Sequence, residues 1–235
     1  MLGSLFRLAA GWIVTLVMAV VAIIVVVFDR SGKKYHWVCR LWSRIALRVC
    51  GVSVDVRGTE HLEPGRSYIY VSNHASMFDI PVVSAGIPDD LRIVYKRELE
   101  RIPLFGWGLR MSGYIGIDRG RSPEARRSLD EAVEKIRNGA SVLMFAEGTR
   151  TADGKLQPFK RGAFHLAARS GVPVVPLTIN GSYGIVPKHS LRIRSGTVQL
   201  IFSPPIATAA MEGKNAELEL MEKVRAAITA HYRNQ

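Results

Sequence analysis

Residues 69–84 read YIYVSNHASMFDIPVV, and within this apolar run His74 and Asp79 stand five residues apart. An imidazole titrates near neutral pH, so it can take and return a proton. A carboxylate on its second ring nitrogen would fix the tautomer and stabilise the imidazolium. Five residues of straight helix turn through about 500°, which separates the two side chains. Contact therefore requires a turn at Ala75-Ser76, with Asp79 in the first turn of a helix beyond it. Three readings fit the pair: a catalytic base with its orienting acid, a metal site, and a satisfied polar pair tying down a turn. A metal site wants further ligands at close spacing, whereas His36, His61, His165, His189 and His231 are scattered. A serine nucleophile would have to be Ser72 or Ser76, and neither lies in a G-x-S-x-G elbow.

Other reactive groups collect where apolar runs end. Asn73 and His74 follow 67–72, Lys96 closes 91–96, Asp118 closes 113–118 with Arg119 after it, and Glu147–Arg150 follow 141–146. These runs, with 172–179, read as short buried strands. In open α/β sheets ligands gather outside the carboxyl ends of strands, so separate segments would deliver these groups to one rim. Arg150 offers a planar fork suited to phosphate, and Gly148 lets backbone N–H groups approach closely. Glu147 is acidic, and its own chemistry suits holding Arg150 or the loop. Lys160 and Arg161 fit either phosphate contacts or a solvated basic turn.

The intervening segments supply the helices. Ser122 suits an N-cap, Pro123 the first helical position, and Asn138-Gly139 a helix end. KRGAFHLAARSG reads as a helix stopped by Gly171, residues 213–232 as a closing helix, and LRIRSGTVQLIF as a hairpin turning at Ser195-Gly196. Alternation of strands and helices implies an α/β fold, a mixed, largely parallel sheet flanked by helices.

The N-terminus differs. WIVTLVMAVVAIIVVVF, residues 12–28, is apolar except for Thr15. With residues 8–11 it reaches the roughly 20 residues that cross a bilayer core, and it lacks the small-residue ending of a cleavable signal. Downstream, Arg40, Arg44 and Arg48 form a basic stripe, with Val38, Trp42, Ile45 and Val49 opposite. Such a helix suits a headgroup interface or packs on the domain with solvated arginines. Residues 1–50 are thus read as a membrane-anchoring helix pair and 51–235 as the α/β domain. Positive charge after the apolar run puts that domain on the cytoplasmic side.

The chain has 32 Lys and Arg against 20 Asp and Glu, a net charge of +12, which calls for an anionic partner. Much of the excess lies in 30–48 and no recognition motif occurs, which argues against nucleic acid. The two cysteines, Cys39 and Cys50, would lie about 16 Å apart on one helix, too far to bridge.

NHASMFD resembles the N-H-x-x-x-x-D signature of glycerolipid acyltransferases, especially bacterial 1-acyl-glycerol-3-phosphate acyltransferases. KRELERIPLFGW (96–107), GYIGIDR (113–119), FAEGTR (145–150), PFKRGAF (158–164) and VPVVPLTI (172–179) follow in that family's order; Ala146 departs from its frequent proline. The resemblance implies that His74 is the general base and Asp79 its partner. It sets Lys96 near the reacting carbonyl. Asn73, Arg119, Glu147, Gly148, Thr149, Arg150 and Lys160 are implied at the acceptor. It further implies lysophosphatidic acid as acceptor and acyl-CoA or acyl-carrier protein as donor. The setting would be a phospholipid membrane, the bacterial inner membrane, with no metal or organic cofactor and no nucleic acid partner. Acylation of another lysophospholipid or of glycerol 3-phosphate stays open. So does, in a different class, a non-catalytic module that binds anionic lipid.

Overall fold

Along the strand after Arg66, side chains alternate between two cores: Tyr68 and Tyr70 enter one, Ile69 and Val71 the other. That period of two is what a strand imposes. A computed structural model describes residues 2–29, 33–102, 105–118, 123–208 and 215–234. Its seven strands are β1 (Val52–Arg57), β2 (Ile69–Ser72), β3 (Leu91–Lys96), β4 (Ile115–Ile117), β5 (Ser141–Phe145), β6 (Val174–Asn180) and β7 (Gly196–Phe202), in the order β1-β7-β6-β2-β5-β3-β4. β2 lies at the centre, Ile69 pairing in parallel with Val142 on one side and Val174 on the other. Only β6 and β7 run antiparallel, so the sheet is mixed and largely parallel.

Both faces are covered, as a parallel sheet requires. α1 (Leu2–Phe28), α2 (Lys33–Val49) and α3 (Asp79–Gly86) lie on the Tyr70 side. α5 (Pro123–Arg137), α6 (Arg161–Ser170) and α8 (Ala216–His231) pack on the other, through Ala132, Ile136, Phe164, Leu166, Leu220 and Val224. The short helices α4 (Phe105–Met111) and α7 (Ser182–Ile185) join elements at the rim. At Gly106 a Cβ would fall 2.1 Å from the Glu100 carbonyl oxygen, so only glycine lets α4 pack so closely there.

α1 and α2 form an antiparallel pair. Trp42 Nε1 donates to Thr15 Oγ1 at 3.1 Å, the Asp29 carboxylate accepts the Lys34 N–H, and the Cys50 thiol meets the Arg7 carbonyl oxygen. Gly3–Phe28 is long and apolar enough to cross a membrane, and Trp12, Leu16, Val20, Ile24 and Phe28 are exposed along it.

Three features differ from the sequence reading. Residues 191–202 are not a hairpin: Leu191–Ser195 is irregular and β7 starts at Gly196. Ile193 turns inward and its N–H donates to Ser4 Oγ, while the Arg194 N–H donates to the Ile185 carbonyl. The segment is therefore held by α1 and α7 rather than by β7. β7 instead pairs in parallel with β1, a strand the sequence reading left unassigned although VSVDVR alternates. Finally, the basic stripe of α2 is divided. Arg40 donates to the Ile87 and Asp89 carbonyls beyond α3, whereas Arg44 and Arg48 are exposed. Cys39 and Cys50 are both free.

Candidate active site

β2 ends at Ser72, and the chain turns through Ala75 and Ser76 into α3, whose first residue is Asp79. That turn brings His74 Nδ1 to 2.7 Å from Asp79 Oδ2. The same oxygen accepts the N–H groups of Ala75 at 2.7 Å and Ser76 at 2.9 Å. An acceptor-only carboxylate oxygen in this position makes Nδ1 the protonated nitrogen and leaves Nε2 its lone pair. Asp79 is fully buried, the His74 side chain is 17% exposed, and Nε2 has no partner among the described residues. The imidazole also stacks on Phe145, the last residue of β5, with centroids 3.9 Å apart and planes 14° from parallel. A carboxylate on the edge and an aromatic face below hold the ring so that its free nitrogen faces outward.

The loop after β5 is tied to the same turn. The Glu147 carboxylate accepts the His74 N–H at 2.6 Å through Oε1 and the Gln157 N–H at 2.8 Å through Oε2. The Thr151 N–H donates to the His74 carbonyl oxygen at 2.9 Å. Glu147 is buried, and burial raises its pKa above the ordinary carboxylate value although the two N–H donors pull the other way. Of the two roles that its acidity suggested, it has the second, holding the loop. Gly148 sits at φ 69°, a conformation that costs other residues. Lys160 lies over it, its Nζ 3.5 Å from where a Cβ would be.

Asn73, expected at the acceptor, is buried, and its amide both donates to the Ile179 carbonyl and accepts the Ile179 N–H. It acts as a splice between β2 and β6. Lys96 is two strands away from β2, roughly 10 Å at the backbone, and its ammonium pairs with Glu98. The structure therefore gives Lys96 a surface ion pair and no contact with His74. Thr149 is exposed on the loop with Arg150 beside it. Arg119 lies outside the described residues. Ser72 and Ser76 are fully buried and donate their hydroxyls to the Asn73 and Val186 carbonyls, so neither addresses the imidazole.

Two contributions were not read from the sequence. Phe145 was legible only as a strand residue. Lys188, from the segment after α7, donates Nζ to the Arg150 carbonyl oxygen at 3.1 Å and so joins the cations of the loop. Among the described residues, Arg150, Lys160 and Lys188 have no carboxylate partner. Positive charge without an ion-pair partner among the described residues therefore lies on the loop that is tied to the histidine turn, which suits an anionic reactant.

A largely parallel sheet with a histidine–carboxylate pair and, among the described residues, cations without carboxylate partners near its strand ends defines the class as an α/β protein with an imidazole and positive charge on one loop cluster. Comparison with known proteins makes that class specific. Residues 53–180 match the Acyltransferase family. The chain is 37% identical over 213 residues to the chloroplastic 1-acyl-sn-glycerol-3-phosphate acyltransferase BAT2 of Brassica napus, covering 87% of this chain and 60% of that protein. It is 32% identical to the 1-acyl-sn-glycerol-3-phosphate acyltransferase alpha of Ovis aries, covering 95% of this chain and 77% of the relative. The crystal structure of the 1-acyl-sn-glycerophosphate acyltransferase PlsC from Thermotoga maritima superposes with a TM-score of 0.81 at 28% identity, covering 98% of this chain and 97% of that one. The chain belongs to the acyltransferase family. It spans 60% of the length of the Brassica relative and 58% of the chloroplastic relative from Arabidopsis thaliana.

Proposed function

We propose that the protein transfers an acyl chain from acyl-CoA or acyl-carrier protein to the 2-hydroxyl of 1-acyl-glycerol 3-phosphate, forming phosphatidic acid. His74 Nε2 takes the hydroxyl proton as the alkoxide attacks the thioester carbonyl. A tetrahedral intermediate forms, the C–S bond breaks, and the imidazolium returns the proton to the leaving thiolate. Asp79 stabilises the imidazolium throughout. Arg150, with Lys160 and Lys188 at the same loop, holds the phosphate. The activated acyl group comes from the thioester, so the route uses side chains alone.

The observation that carries this reading is the 2.7 Å contact of Nδ1 with Asp79, which leaves Nε2 available to take a proton. The names of the relatives support the acceptor. The α1–α2 pair, residues 1–50, is proposed to seat the α/β domain, 51–235, on the inner face of a bacterial cytoplasmic membrane, where a lipid acceptor resides. Arg44, Arg48 and the exposed Trp37 of α2 suit that seat.

The test is an acceptor panel with purified full-length protein and a long-chain acyl-CoA or acyl-carrier protein. Lysophosphatidic acid should be used in preference to lysophosphatidylcholine and glycerol 3-phosphate, with release of one free thiol per acyl group transferred. Thiol release without esterified product, or turnover that survives His74→Ala in a folded protein, would overturn it.

A further inference from the structure

The segment that failed to form a hairpin makes a second cationic site, far along the chain from the histidine. In Arg192-Ile193-Arg194 the middle side chain is buried and both arginines are exposed. The Ile193 N–H, held by Ser4 Oγ at 2.9 Å, ties the segment to α1. Arg7 lies one turn along α1. It folds back so that its guanidinium nitrogens come within 3.6 to 3.9 Å of where Cβ atoms would stand at Gly3 and Gly51. Together Gly3, Ser4, Arg7 and residues 192–195 line an open cavity of about 250 Å³.

Its lining contains three guanidinium groups and no carboxylate, and none of the three has an ion-pair partner among the described residues. Several exposed arginines elsewhere are paired, Arg57 with Asp55, Arg66 with Glu63, Arg127 with Glu131 and Arg169 with Asp130, whereas Arg44 and Arg48 on α2 are exposed singly rather than gathered around one hollow. The larger cavity, between α5 and α6, is lined by cations and acids together and is neutralised internally. Three like charges converging on one hollow repel one another, and an anion placed among them relieves that repulsion. Guanidinium forks match phosphate oxygens. Leu5 and Phe6, in the same turn of α1 but outside the lining, are 62% and 71% exposed, so the other faces of that turn are apolar.

We infer that this cavity binds the phosphate of an anionic membrane phospholipid, whose acyl chains lie against Leu5 and Phe6. It is separate from the acceptor site and does not depend on which acceptor the transferase uses. It would orient the start of α1 at a bilayer surface.

The test is co-sedimentation of the full chain with phosphatidylcholine vesicles, with and without phosphatidylglycerol. The wild type should bind the phosphatidylglycerol vesicles more tightly. Arg192→Gln/Arg194→Gln should weaken that binding about thirtyfold and leave binding to pure phosphatidylcholine unchanged. Arg127→Gln/Lys223→Gln removes the same charge on the opposite face of the sheet and should change little. Circular dichroism and a melting curve establish that each variant is folded, and Arg7→Gln provides an independent third lesion. Equal losses in the two double variants would reduce the effect to general charge attraction and overturn the site. Binding of inorganic phosphate that is lost in Arg192→Gln/Arg194→Gln, with vesicle binding intact, would give the cavity to a free phosphate and overturn the lipid assignment.

Discussion

Glu147 Oε1 accepts the backbone N–H of His74 at 2.6 Å, so the carboxylate of the E-G-T-R loop fixes the backbone under the imidazole. Its second oxygen holds Gln157. Glutamine offers only one acceptor oxygen, and Glu147→Gln leaves one of these part-buried N–H groups without its acceptor. The expected loss is about 1–3 kcal/mol, read by chemical denaturation at neutral pH. The pH dependence has a definite sign. Burial raises the folded pKa of Glu147, so between the ordinary glutamate value of about 4.3 and that higher value the folded state binds more protons than the unfolded chain. Wild-type stability attributable to this group therefore falls as pH rises through that window. The gap between wild type and Glu147→Gln should narrow with rising pH across it; a gap that widens would mean the carboxylate is favoured as the ion.

His74 and Asp79 should fail differently. His74→Ala removes the proposed base, and a loss of roughly 100- to 10,000-fold in kcat is expected. Asp79→Asn keeps an oxygen for some of the N–H groups now bound by Oδ2 but removes the charge that stabilises imidazolium. Its rate should fall at every pH, with the acidic limb of the kcat profile, where a base must lose its proton to act, shifted to lower pH. An unshifted limb would mean that Asp79 acts only as a turn fastener.

Phe145 touches the imidazole over its whole face, with ring centroids 3.9 Å apart. Aromatic pairs contribute about 0.5–1.5 kcal/mol beyond burial, so Phe145→Leu should lower kcat by roughly fivefold and leave the acceptor KM nearly unchanged. A KM effect with kcat intact would move Phe145 from ring positioning to substrate contact.

Much of this site was readable because its parts are local. The turn at Ala75-Ser76 followed from the geometry of five residues, and the strands ending at Ser72, at Lys96 and, one residue short of the expected Ala146, at Phe145 followed from buried runs with polar ends. What stayed hidden depends on contacts distant in sequence. Asn73 reads as a site residue because its neighbours are polar, yet its partner is Ile179. Lys96 ends a strand at the same rim as His74, but strand order, which no single segment encodes, puts β5 between them. The mistaken hairpin has the same origin: VQLIF alternates correctly, and only the pairing of β7 with β1 and β6 shows that Arg192 and Arg194 belong to another surface.

Arg150 provides the sharpest separation between holding charge and reading shape. Its carbonyl is fastened by Lys188, and its side chain has no acidic partner among the described residues. Arg150→Lys keeps the charge but loses the fork, whereas Arg150→Ala loses both. Charge-assisted bonds to a phosphate contribute about 1.5–3 kcal/mol. Arg150→Ala should therefore raise the KM for lysophosphatidic acid by ~10- to 100-fold, with Arg150→Lys between the two. Monoacylglycerol, which lacks the phosphate, is the control. If its slow acylation falls in parallel, Arg150 supports the loop and the phosphate contact must come from Lys160 or Lys188. If only the phosphorylated acceptor is affected, the guanidinium binds the headgroup.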